Sequence, residues 1–170
     1  MQITTATGLL LIVVPIAFNA TFLLLQRAFE YPDILRQPTD YILRRFQAGG
    51  AALRRLWYLF TLSAILLTPV PVLVQLVFGP AAPWYLTVGT VIGVLASLVQ
   101  ILGLIRWPFL VPALAEMYND PAASAATRDS VAVTFQAFHR YAGVAVGEHL
   151  GYLFTGAWTL LLCAAITQTG

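Results

Sequence analysis

Four stretches of the chain are long, apolar and almost free of charge, and they restrict the possible folds more than any other feature. They cover residues 5–25, 56–78 ("LWYLFTLSAILLTPVPVLVQLVF"), 84–105 ("WYLTVGTVIGVLASLVQILGLI") and 141–166. About 20 mostly apolar residues make a helix that crosses the hydrocarbon core of a bilayer. The expected fold is therefore all-α: a polytopic transmembrane four-helix bundle, one domain over residues 1–170, with amphipathic interfacial helices in loops one and three. Composition agrees, since 59% of the 170 residues are hydrophobic and 9% are charged, against roughly a quarter charged in soluble domains. The first stretch is too long for the apolar region of a signal peptide and no basic residue precedes it, so it reads as a retained first span.

The loops set the expected topology. All nine positive charges are arginine, and the net charge of +2 offers no basic face for nucleic acid. Loop one, "QRAFEYPDILRQPTDYILRRFQAGGAALRR", holds six of the nine. It reads as a short helix capped by Thr39 or Asp40 and ended by Gly49-Gly50. Its apolar residues Ile42, Leu43 and Phe46 fall at helical spacing and are expected along the membrane surface, with the arginines against anionic headgroups. Loop two is the uncharged turn "GPAAP". Pro69 and Pro71 are expected to kink the second span. In loop three, Pro108 and Pro112 should bend the continuation of the third span. Asp120-Pro121 reads as a helix start, and that helix is expected to run on into span four. The remaining arginines lie in loop three, so the positive-inside rule puts both loops in the cytoplasm and both termini outside. Trp57, Trp84 and Trp107 fall at span ends, where aromatic rings favour the interface.

One pair interrupts the apolar pattern. Glu148 and His149 lie within span four, and Glu148 is about 12 Å deep if the span starts after Arg140, at 1.5 Å per residue. A span starting near Gly147 would leave the pair at the interface. Gln100, Arg106 and Asn19 lie toward the same side, so these five residues are candidates for one buried polar layer. An ionisable group inside a membrane normally faces the bundle interior and is paired. Arg106 is the expected partner of Glu148. Such a layer acts as a structural clamp, or as a pocket that binds a small ligand or carries protons; the third reading is snorkelling to the headgroups.

Gly143, Gly147 and Gly151 recur every four residues, a spacing that lets helix backbones approach closely. They are expected to pack on another helix of the chain, or on a second copy or larger membrane complex. His139 and His149 are separated by about 15 Å on one helix, too far to ligate one haem together, and no cofactor is expected. The single cysteine, Cys163, forms no internal disulfide, and no metal motif, paired carboxylates or phosphate loop is present.

The segments "EYPDILRQPT", "LIRWPFLVPALA" and "FHRYAGVAVGEHLGYLFTGAWTLL" together resemble a family of uncharacterised bacterial multi-pass membrane proteins, known as domain of unknown function four-three-eight-six. The matching stretches are residues 31–36, 106–112 and 147–152. The resemblance implies a membrane location and no chemistry. Family members with additional spans would make this chain a short or truncated member. Three functions are in competition. The first is an accessory or ligand-binding membrane protein, more consistent than an enzyme with the absence of a catalytic motif. The second is a small proton-coupled transporter using Glu148, His149 and Arg106. The third is a lipid- or quinone-modifying enzyme with His149 as general base, which requires His149 to face a pocket.

Overall fold

The computed structural model describes residues 2–169. The helices are α1 (Ile3–Phe29), α2 (Thr39–Leu67), α3 (Pro69–Phe78), α4 (Trp84–Leu104), α5 (Arg106–Asn119), α6 (Ala125–Phe138) and α7 (Gly151–Thr169). A π-helix, His139–Leu150, joins α6 to α7, and 3-10 turns cover Asp33–Arg36 and Gly79–Ala81. End to end they form four helical rods long and apolar enough to cross a membrane: Ile3–Phe29, Thr39–Ala81, Trp84–Asn119 and Ala125–Gln168. The fold is the all-α four-helix bundle that the apolar stretches imply.

The breaks in the rods have local causes. Gly50 has φ 55° and ψ −146°, a conformation open to glycine and closed to residues with a Cβ. It ends the amphipathic turn of α2 and re-aims the chain into the second span. Proline lacks the N–H that would bond the carbonyl four residues back. Pro69 and Pro71 accordingly divide α2 from α3 at Thr68, and Pro108 divides α4 from α5 at Ile105. Two expected helix starts are corrected: α2 begins at Thr39 with Pro38 at its N-cap and no side-chain cap bond, so neither Thr39 nor Asp40 caps it. α6 starts at Ala125, where the Ser124 hydroxyl accepts the Thr127 N–H at 3.1 Å. Asp120 does not start a helix; its Oδ1 accepts the Ala122 N–H at 2.8 Å, closing a local turn as short acidic side chains readily do.

Two apolar clusters hold the bundle. At the arginine-rich end, Leu25 and Phe29 of α1 pack with Ile42, Leu43, Phe46 and Trp57 of α2, Trp107 and Val111 of α5, and Phe135 of α6. The amphipathic turn thus lays its apolar residues on protein, folding over α5 and α6. That cover also changes the environment of two tryptophans. Trp57 and Trp107 are both buried and stacked, with ring centroids 4.4 Å apart and planes 8° apart, whereas Trp84 is 80% exposed. Only Trp84 of the three sits as an interface residue would. Phe29 meets both indoles edge-on, at 6.0 and 5.5 Å, and such aromatic pairs contribute about 0.5–1.5 kcal/mol each beyond area burial. In the other half of the bundle, Val14, Val70, Val74 and Trp158 form the second cluster. Trp158 fits there because Gly93 leaves room: a Cβ on Gly93 would lie 2.6 Å from Pro71 Cγ and 3.0 Å from Trp158 Cδ1.

α1 packs on α2 and α3, while the fourth rod packs on α4 and α5. The first and fourth rods make no broad contact with each other. At the arginine-rich end this leaves a gap.

Candidate functional site

The gap holds a cavity of about 70 Å³, lined from α1 by Phe18, from the following loop by Tyr31, from α2 by Phe60 and from α4 by Gln100, Gly103 and Leu104. α5 adds Arg106 and Trp107, the π-helix adds Gly143, Gly147 and Glu148, and α7 adds Tyr152. Every rod contributes a wall. Phe18, Phe60, Leu104 and Trp107 make one part apolar. Arg106, Glu148, Gln100 and the two phenols make the other part polar.

The glycine row builds the fourth wall. Gly147 lies against Gly103, so that a Cβ on Gly103 would stand 2.7 Å from Gly147 Cα. A Cβ on Gly143 would stand 2.8 Å from Arg106 Cζ, and one on Gly151 3.1 Å from Gln100 Cγ. The row therefore faces α4 and Arg106 of the same chain. Gln100 also donates from Nε2 to Thr155 Oγ1 at 3.3 Å. The π-helix carries the whole contribution of the fourth rod except Tyr152, and π segments within α-helices recur at functional sites.

Arg106 is the buried cation of the cavity. It is 8% exposed; Nη1 donates to the Gly103 carbonyl, and the guanidinium lies 5.3 Å from the centre of the Trp107 ring, within cation–π range. Among the described residues no carboxylate lies within 4.0 Å of it, because the ion pairs there are Arg36–Asp33, Arg44–Asp40 and Arg45–Glu30. Glu148 lines the same cavity, half-buried, without a direct pair to Arg106. Tyr31 stands edge-on to Trp57 at 5.1 Å and to Phe22 at 5.5 Å. Burial pushes its phenol up to about 12, Glu148 adding to the rise and Arg106 opposing it.

The five residues of the expected polar layer divide. Gln100, Arg106 and Glu148 meet at the cavity. Asn19 is exposed and donates from Nδ2 to the Pro15 carbonyl of its own helix at 2.8 Å. His149 is exposed and is not among the lining residues. Neither a Glu148–His149–Arg106 relay nor a general base at His149 gains support from this geometry. Two polar lining residues, Tyr31 and Tyr152, were missed. Tyr152 lies four residues after Glu148, a spacing that shares a helix face, and was detectable on that ground. Tyr31 follows α1 in a loop, where no periodicity marks it.

No curated protein and no solved structure matches the chain. The model of one family does match, over residues 6–170, and by that near-complete match the protein belongs to the family described as a domain of unknown function, DUF4386.

Proposed function

We propose that this is a multi-pass protein of the bacterial cytoplasmic membrane, with its arginine-rich loops on the cytoplasmic side, that binds the polar end of a small hydrophobic molecule. Its role is accessory or sensory rather than catalytic. The observation that carries the reading is Arg106, a buried cation without a carboxylate partner, facing a cavity that also holds the unpaired Glu148. A buried charge is costly unless paired and hydrogen-bonded, and a bound polar group between the two would satisfy both. Arg106 offers donors and Glu148 an acceptor, so the fitting head group presents both functions, as a hydroxy-carbonyl, amide or quinol does. The volume argues for a head group alone. A cavity of ~150 Å³ accepts benzene, and this one has about 70 Å³. The apolar remainder of the molecule would lie in the gap between the first and fourth rods.

Delipidated protein heated with and without an organic extract of the host membrane tests this reading. The extract is expected to raise the Tm of the wild type more than that of Glu148→Gln. Equal shifts in both proteins would overturn it.

A further inference from the structure

The six arginines of loop one fall into two groups. Arg36, Arg44 and Arg45 are engaged by Asp33, Asp40 and Glu30 at 3.2, 2.7 and 2.9 Å. Arg27, Arg54 and Arg55 have no acidic partner within 4.0 Å among the described residues, and Arg55 bonds only the Ala51 carbonyl of its own helix, at 3.3 Å. Arg54 shares two grooves with Glu116, and Arg55 lines the second of them, on the side of α2 toward α5. Arg27 and Arg55 together line another groove, in which no acidic residue takes part.

That groove runs on the outer face of α1 and α2 and is completed by Leu24, Ala28, Ala52, Leu56 and Leu59. Its residues are ordered by polarity. Arg27 and Arg55 stand at the level where the two spanning segments meet the loop. Leu24 and Leu59 lie about one turn deeper along their helices, 50% and 52% exposed. A guanidinium pair above an exposed aliphatic channel has the charge and apolar sequence of an anionic lipid in reverse: phosphate at the rim, acyl chain below. Basic pockets between spanning helices take such head groups, and guanidinium forks suit phosphate oxygens.

We infer that the groove between α1 and α2 is a binding site for one anionic glycerophospholipid, with its phosphate on Arg27 and Arg55 and an acyl chain along Leu24, Leu56 and Leu59. This site is separate from the cavity at Arg106 and Glu148. At about fivefold in affinity per arginine near a membrane surface, the pair accounts for a preference of about thirtyfold over a lipid without net charge.

The test is native mass spectrometry of the full chain released from nanodiscs containing equal phosphatidylglycerol and phosphatidylcholine. The wild type is expected to retain phosphatidylglycerol, and Arg27→Gln/Arg55→Gln to lose that adduct by about thirtyfold. Arg36→Gln/Arg44→Gln, which removes as much charge from engaged positions, is expected to retain it. Arg27→Lys/Arg55→Lys keeps the charge and should retain most of the adduct, separating charge recognition from a folding defect. Equal retention of the two lipids by the wild type, or equal loss in both glutamine pairs, would overturn the inference.

Discussion

Gly103 and Gly147 touch through their backbones: a Cβ on Gly103 would stand 2.7 Å from Gly147 Cα, and one on Gly147 2.9 Å from Gly103 Cα. This contact sets how closely the π-helix approaches α4, and with it the position of Glu148 beside Arg106.

A side chain at Gly147 must therefore push the two rods apart. Gly147→Val is expected to lower stability by about 1–3 kcal/mol, the usual range for overpacking. Gly156 has nothing within 4 Å of its Cβ position, and Gly156→Ala should stay within ~0.5 kcal/mol of wild type. Unfolding in detergent, followed by helical circular dichroism, checks both; equal effects would contradict the close approach.

Trp107 and Trp84 should respond in opposite ways. Trp107 is buried, stacked on Trp57 and beneath the Arg106 guanidinium, so Trp107→Ala should cost about 3–5 kcal/mol. Trp84→Ala, at an exposed position, should lie within ~0.5 kcal/mol of wild type by the same unfolding measurement.

Tyr31 gives a pH dependence with a fixed sign. Its phenol is held at about 12 in the folded protein, against an ordinary value of 10.0, so the folded state keeps a proton that the unfolded state loses. Its contribution to stability is complete below pH 10 and falls as pH rises from 10 to 12. Ultraviolet titration of phenolate in wild type and in Tyr31→Phe should differ by one component near pH 12. A missing component near pH 10 would contradict the buried placement.

The legible and illegible parts of this fold differ for physical reasons. Span length is written in hydropathy, so the four rods were readable, and Gly50, Pro69, Pro71 and Pro108 announced the breaks through backbone chemistry that is local. The meeting of Gln100, Arg106 and Glu148 at one cavity was readable because a membrane confines polar groups to few neighbours, whereas the expected ion pair between Arg106 and Glu148 is not formed. Trp57 and Trp107 were not, because their burial depends on the loop-one helix folding over α5 and α6, a tertiary event with no local signature. Asn19 and His149 shared the depth of the polar layer and faced elsewhere. Depth is read from position along a helix; facing also requires the packing, and here the π-helix changes the angular spacing around Glu148.

Whether the cavity faced by Arg106 and Glu148 receives a ligand's polar end is best read by native mass spectrometry of gently extracted protein. A reproducible bound mass is expected on the wild type, lost in Glu148→Gln and kept in His149→Gln, whose site lies outside the cavity. A wild-type spectrum free of any such mass, with Glu148→Gln differing only in stability, would contradict that expectation and make the Arg106–Glu148 region a structural clamp.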